Sequence, residues 1–279
     1  MDNITIKSPA KINIGLNIIN KREDGFHNLE TIFYPLELFD EITITKNSSF
    51  SFNSNDQQLN LEKTNLIIRA KETLENFCQT TFNVNIYLKK KIPIGAGLGG
   101  GSSNAASTLI GLTKLFNIKI SDSDLSGMGL SLGSDVPFFL NPVPSFAESR
   151  GEILYPLSII AKKFLLIVNP GIHISTRWAF GLIKPSLQKS SLKLFALKQN
   201  ISIEEIITAA SNDFENIVFA HFPMVAGIKK KMLEFGARQS MMTGTGSTVW
   251  GMFDDKETAY QAEVYFKNKN YFVFMQKTI

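Results

Sequence analysis

The chain has 279 residues, of which 44% are hydrophobic and 19% charged, with a formal net charge of +4 at pH 7. That composition excludes a mostly disordered chain. The single cysteine excludes an internal disulfide, and no apolar run reaches the ~18 residues that a membrane span needs. The start, Met1-Asp2-Asn3, lacks the basic and apolar regions of a signal peptide, so the chain reads as cytoplasmic. From Lys11 to Ile18 the sequence alternates as a strand does. Ile12, Ile14, Leu16 and Ile18 share one face, while Lys11, Asn13, Gly15 and Asn17 share the other. Taken alone, the second set reads as an exposed polar face.

Residues 20–28 form a turn-rich loop, and strand content returns at Thr31-Ile32-Phe33-Tyr34 and Glu41-Ile42-Thr43-Ile44. Helical spacing of Leu66, Ile67, Ala70, Leu74 and Phe77 predicts a helix over 65–77. Cys78 follows it and reads as a small hydrophobe rather than a nucleophile. A strand over 84–88 leads into Lys89-Lys90-Lys91, a run too short for a basic tail and read as solvated surface, as is Lys229-Lys230-Lys231. Pro93 and a glycine-dense loop follow, then a helix with Ala105, Ala106, Leu109, Ile110, Leu112 and Phe116 on its apolar side. Residues 164–168 read as a buried strand stopped by Asn169-Pro170-Gly171. The last hundred residues carry helical stretches near 203–219, 223–235 and 256–268, with strands at 238–243, 247–253 and 271–277. This mixture lacks a regular strand-helix repeat, so the class is α+β. A change of pattern near Pro156 divides the chain into domains over 1–160 and 161–279. The lysine-bearing stretch 183–204, with Lys184, Lys189, Lys193 and Lys198, reads as a flap or plain surface.

Residues 93–104 read Pro-Ile-Gly-Ala-Gly-Leu-Gly-Gly-Gly-Ser-Ser-Asn. Glycine at that density lets backbone N–H groups converge without Cβ obstruction. The helix that follows, with Ser102 or Ser103 as its expected N-cap, adds free N–H donors and positive partial charge. The sum is an anion site suited to nucleotide phosphates. Gly95, Gly97 and Gly100 formally match G-x-G-x-x-G, but no strand-helix-strand repeat surrounds them. A Walker A loop would need lysine at position 101, which is glycine.

With Pro9-Ala10-Lys11-Ile12-Asn13 upstream of this loop, Leu132-Gly133-Ser134-Asp135-Val136-Pro137 after it, and the late loop Thr243-Gly244-Thr245-Gly246-Ser247, the chain resembles the GHMP kinase superfamily, which includes galactokinase, homoserine kinase and mevalonate kinase. Asp24-Gly25-Phe26-His27 followed by Glu30-Thr31 makes it most similar, within that superfamily, to the kinases of the cytidine diphosphate methylerythritol step of non-mevalonate isoprenoid synthesis. The four motifs run in the family's order over roughly residues 8–253.

The resemblance implies a two-lobed kinase with ATP as co-substrate, Mg²⁺, and a small cytidine diphosphate methylerythritol acceptor. It also implies no nucleic-acid or membrane partner, and a monomer or weak homodimer. Asp135 falls at the family's catalytic aspartate and would accept the acceptor's hydroxyl proton, with Lys11 as its charged partner. Read without the family, Asp135 is an N-cap for Val136-Pro137. On the ATP side the resemblance assigns Pro93, Ile94, Gly95, Ala96, Gly97, Leu98, Gly99, Gly100, Gly101, Ser102 and Ser103 to the phosphates, and Asn65, Leu66 and Lys90 to adenine. Asn13, Thr176 and Thr245 fall to the acceptor, and Phe26, His27 and Phe180 to cytosine. The family usually has tyrosine at position 26; phenylalanine keeps the stacking face and loses the hydroxyl. His173 and His221 match no motif. Two rival readings are another GHMP small-molecule kinase, of homoserine or mevalonate type, and a non-catalytic sensor on the same fold.

Overall fold

The computed structural model describes residues 1–61, 64–184 and 192–278. Two long strands, β1 (Asn3–Lys21) and β2 (His27–Lys46), pair with one another across a tight turn, where the Arg22 N–H donates to the Phe26 carbonyl at 2.8 Å and Gly25 takes a φ of +85°. Then come β3 (Ser51–Ser54), α1 (Gln57–Leu61), α2 (Leu66–Cys78), β4 (Val84–Lys89), α3 (Gly100–Leu115), α4 (Asp122–Leu132) and α5 (Val136–Leu140). Strands β5 (Ser145–Ser149), β6 (Ile153–Pro156), β7 (Ile159–Ile160) and β8 (Phe164–Asn169) precede α6 (Thr176–Leu182) and a 3-10 turn at Leu192–Leu197. The chain closes with β9 (Ile201–Ser202), α7 (Ile203–Ala209), α8 (Glu215–His221), α9 (Pro223–Glu234), β10 (Gln239–Met242), β11 (Val249–Phe253), α10 (Lys256–Lys267) and β12 (Phe272–Lys277). Helices and strands are mixed without strict alternation, as an α+β chain requires.

Two compact units are assembled from interleaved segments: Met1–Ala10, Glu37–Ile92 and Gly99–Pro142 form the first, and Lys11–Leu36, Pro93–Leu98 and Val143–Ile279 the second. In the first unit β4 pairs antiparallel with the later half of β2 (Ile42 opposite Leu88) and parallel with β3. Helix α3 is buried on nearly every side, and small residues are what let it approach so closely. A Cβ at Gly111 would stand 2.7 Å from the Ile44 side chain. Asn65 caps α2 by accepting the Ile67 N–H at 2.9 Å, and Ile67, Ala70 and Leu74 face inward. Phe77, expected on that apolar side, is exposed instead in the last turn of the helix, before the left-handed Gln79 cap.

In the second unit β8 is one of the two inner strands of a sheet ordered β10-β11-β8-β12. Both its faces are covered, which is why Leu165, Leu166, Ile167 and Val168 form an unbroken apolar run. Ile228 and Met232 of α9, Ala259, Ala262 and Phe266 of α10, and Phe214 pack in its core. The earlier half of β2 pairs antiparallel with β5, and β5 with β6. The helix expected over 203–219 is broken. Its apolar spacing is sound on both sides, but residues 211–213 extend along β1 instead. Leu16 donates its N–H to the Ser211 carbonyl, and its own carbonyl accepts from Asp213 N–H. Lys193 pairs with Glu148 and Lys198 with Glu205, as surface residues do, while Lys189 lies outside the described residues.

Candidate active site

Lys11 and Asn13 are not on an exposed strand face. Each retains 3% of its accessible surface. A buried ammonium must be bonded, and Lys11 Nζ donates to Asn13 Oδ1 at 2.6 Å, with the Phe33 ring 4.9 Å away. Asn13 is bonded at every polar atom. Its Nδ2 donates to Thr31 Oγ1 at 2.8 Å, its N–H to Thr243 Oγ1 at 2.8 Å, and its carbonyl accepts Trp250 Nε1–H at 3.0 Å. The Thr31 hydroxyl in turn donates to the Gly15 carbonyl.

The glycine loop follows from backbone conformations only glycine takes readily. Gly95, Gly97 and Gly99 have φ of +63°, +76° and +71°. Alternation of this kind turns successive N–H groups into one concavity, an anion cradle. In the second unit Pro93–Leu98 is held from behind: a Cβ at Gly95 would meet His173 Nδ1 at 2.1 Å, and one at Gly97 the Thr243 carbonyl at 2.4 Å. The Lys11 N–H donates to the Leu98 carbonyl at 3.0 Å.

In the first unit the left-handed Gly99 is itself the N-cap of α3, with no side-chain cap. Ser102 and Ser103 therefore lie inside the first turn rather than capping it. A positive-φ glycine starts the helix three residues earlier and leaves its first N–H groups without a side-chain cap. Ser103 Oγ is buried and has no hydrogen-bond partner among the described residues. Leu66 packs beside Gly101. Lys90 is not solvated surface: its side chain is only 9% exposed, because alternate residues of the run point in opposite directions. Its Nζ donates to Asp40 Oδ2 at 2.6 Å and stands close to Gly100. Asp40, fully buried, also accepts the N–H groups of Lys91 and Ile92 and the Asn104 amide. Burial pushes the Lys90 pKa below its usual value, and Asp40 opposes that push. The Asn65 side-chain oxygen is engaged in capping α2.

Asp135 stands at the N-cap position of α5, yet its side chain makes no capping bond. The reading of it as a helix cap therefore lacks its hydrogen bond. A Cβ at Gly133 would lie 3.9 Å from Ser102 Oγ, which sets the Leu132–Pro137 segment beside the start of α3.

Of the three aromatic groups, the structure brings two together: the His27 and Phe180 rings are 5.3 Å apart, tilted by 38°. Phe180 meets Phe214 edge-on from the core side. Burial, then the charge of Lys21, holds the His27 imidazole below its ordinary pKa of 6.5, so at pH 7 it is neutral, with one donor and one acceptor. Phe26 is 48% exposed, with the Arg150 guanidinium 3.8 Å from its ring centroid. Thr176, the first residue of α6, has its hydroxyl 3.4 Å from that of Thr245. Ser247 donates to the Ile172 carbonyl, and Asn169 Nδ2 donates to Ser247 and Thr248. Asp40, His173, Arg150 and Thr243 carry geometry that the motif reading left unassigned. Thr243 alone was inside a quoted motif.

Among the described residues no three His, Cys, Asp or Glu side chains converge on a point.

Residues 65–141 match the family model for the GHMP kinases N terminal domain, and residues 191–271 that for the GHMP kinases C terminal domain. A 4-diphosphocytidyl-2-C-methyl-D-erythritol kinase of Chlorobium phaeobacteroides (strain BS1) is 36% identical over 271 residues, covering 96% of this chain and 95% of the relative. One of Bacteroides fragilis (strain ATCC 25285) is 42% identical over 254 residues, covering 89% and 91%. The crystal structure of a 4-(cytidine 5'-diphospho)-2C-methyl-D-erythritol kinase superposes with a TM-score of 0.79 at 28% identity, covering 99% of this chain and 100% of that one. A homoserine kinase from Cytophaga hutchinsonii ATCC 33406 shares the fold, with a TM-score of 0.77 at 16% identity, covering 100% and 95%. By its two domain models and its near full-length likeness, the chain belongs to the GHMP kinases, in the family of the 4-diphosphocytidyl-2-C-methyl-D-erythritol kinases.

Proposed function

We propose that the protein is a cytoplasmic kinase of non-mevalonate isoprenoid synthesis that phosphorylates the 2-hydroxyl of 4-diphosphocytidyl-2-C-methyl-D-erythritol from ATP. The observation that carries the reading is the 36% identity, over 96% of the chain, to a relative of that name. The hydroxyl oxygen bonds to the γ-phosphorus as the bond to the β–γ bridging oxygen breaks, and ADP leaves. Asp135 takes the hydroxyl proton, and Lys11 supplies positive charge that favours the developing alkoxide. The glycine loop and the uncapped start of α3 hold the nucleotide phosphates through backbone N–H groups. When bound with the nucleotide, Mg²⁺ neutralises phosphate charge. Cytosine is taken up by stacking at Phe180 and Phe26, and by the neutral His27, whose donor and acceptor suit a pyrimidine edge.

Homoserine and mevalonate acceptors have no base to stack, and the likeness to kinases of those substrates is one of fold, at 16% and 15% identity. The test is ADP release from the purified protein with ATP and Mg²⁺ on each of the three acceptors. Turnover on the cytidine acceptor alone is expected. Turnover on mevalonate or homoserine, or on none while ATP still binds, would overturn the reading.

A further inference from the structure

The hydroxyl of Thr243 stands at a junction in the second unit. Thr243 is fully buried. Its Oγ1 accepts the Asn13 N–H at 2.8 Å and lies 3.2 Å from Asn13 Oδ1 and 3.3 Å from the Gly97 carbonyl oxygen. A threonine hydroxyl has one hydrogen to give, so it serves either the carboxamide or the glycine loop. Asn13 Oδ1 is the same atom that accepts from Lys11 Nζ. The orientation of that carboxamide is set from its other end, where Nδ2 donates to Thr31, whose own hydrogen goes to the Gly15 carbonyl. With Nδ2 so engaged, Oδ1 must face Lys11 and Thr243.

The backbone contact at the same point is equally tight. Gly97 lies under the Thr243 carbonyl so closely that a Cβ would stand 2.4 Å from it. The Lys11 N–H is itself bonded to the Leu98 carbonyl. A shift of the Gly97–Leu98 backbone is therefore felt by Lys11 along two routes, one through its own N–H and one through Thr243 and Asn13.

We propose that Thr243 is a positioning residue for Lys11: its hydroxyl, through Asn13, fixes where the ammonium stands, and its second acceptor, Gly97, makes that placement depend on the glycine loop. The inference rests on the phosphoryl-transfer reading above. A hydroxyl at position 243 is what the arrangement needs; valine has the same shape without it, and serine retains it.

The experiment is a double-mutant cycle of Thr243→Val with Lys11→Met, read as kcat and KM under saturating ATP and cytidine acceptor. Thr243→Val is expected to lower kcat about tenfold or more, with both KM values held within about twofold. Thr243→Ser should recover most of the loss. In the Lys11→Met background, Thr243→Val should change the residual rate by less than about twofold, since residues acting as one unit are not additive. Should the valine variant fail to fold, Thr31→Val frees the same carboxamide from its other end and should give the same Lys11-dependent loss. An equal loss with and without Lys11, an effect confined to KM, or a Lys11→Met enzyme with wild-type kcat would each overturn the proposal. Absence of wild-type turnover on the cytidine acceptor counts against the phosphoryl-transfer reading itself. Wild-type turnover with an additive cycle counts against Thr243 alone.

Discussion

Lys11 in the second unit and Lys90 in the first both carry ammonium groups largely removed from water, and the partners that hold them differ in kind. Lys90 donates to the Asp40 carboxylate, which also gathers two backbone N–H groups and the Asn104 amide. Lys11 donates to the carboxamide of Asn13, a neutral group held in turn by Thr31 and Thr243. A carboxylate with four donors is an anchor: it welds the entry of the glycine loop to β2 and α3, and removing it strands charge. A carboxamide brings no charge of its own to the ammonium it meets, and Thr31 and Thr243 fix how it is turned. The same residue type thus meets a charged hydrogen-bond hub in one unit and a relay of neutral groups in the other.

The widest separation should come from Asp40→Ala. It leaves the Lys90 ammonium and the N–H groups of Lys91 and Ile92 without their acceptor, and should cost about 3–5 kcal/mol of stability, the usual penalty for breaking a buried pair. Urea unfolding reads this directly, and a loss below 1 kcal/mol would make Asp40 no anchor. Lys11→Met should show the opposite profile. We expect kcat to fall by about 10²–10³, the scale of losing one group that stabilises transition-state charge, with the melting temperature nearly kept. A collapse of stability with unchanged kcat would erase the distinction between the two lysines.

The aromatic end gives a third, smaller effect. Phe180→Ala should weaken binding of the cytidine acceptor by about 1–3 kcal/mol, the worth of stacking one base, and leave ATP affinity unchanged in calorimetric titrations. Equal loss for both ligands would mean that Phe180 serves only the core around Phe214.

Lys163 supplies the smallest case, an ammonium between two half-exposed carboxylates, Glu204 and Asp254. The hydrogen bond from Lys163, then that from Ser202, holds Glu204 down from 4.5 to about 2. A depressed carboxylate stabilises the fold above its unfolded pKa and loses that contribution as pH falls through its folded one. Glu204→Gln should therefore lower stability by at most about 1 kcal/mol at pH 7, given solvent screening. The difference from wild type should vanish between pH 4.5 and pH 2. A difference that grows as pH falls would reverse the sign.

The legible part of the site was the part made of backbone. Five glycines between Gly95 and Gly101 announce a chain that needs positive φ, and Gly95, Gly97 and Gly99 take it. The Pro-Ala-Lys, Gly-Ser-Asp and Thr-Gly-Thr-Gly-Ser segments were found as strings in order, and the domain models and relatives agree with the family they pointed to. Side-chain partnerships were not legible. Asp40 sits in an ordinary strand, 50 residues from Lys90, and Thr243 lies 230 residues from Asn13. Local periodicity carries no trace of contacts at such separations. The same limit explains the strand face at Lys11 and the break at residue 210. Alternation says which residues share a face, and only the elements packed on that face say whether water reaches it.

By itself, then, the sequence determined the α+β class, the positive-φ glycine loop and the family, because those depend on local backbone preference and on strings of residues in order. The tertiary structure alone decided that Lys11 and Asn13 are buried and bonded to each other, that Asp40 anchors Lys90, and that His27 lies against Phe180. Each of these requires two distant segments to meet, and the burial that makes such bonds strong exists only after they have met.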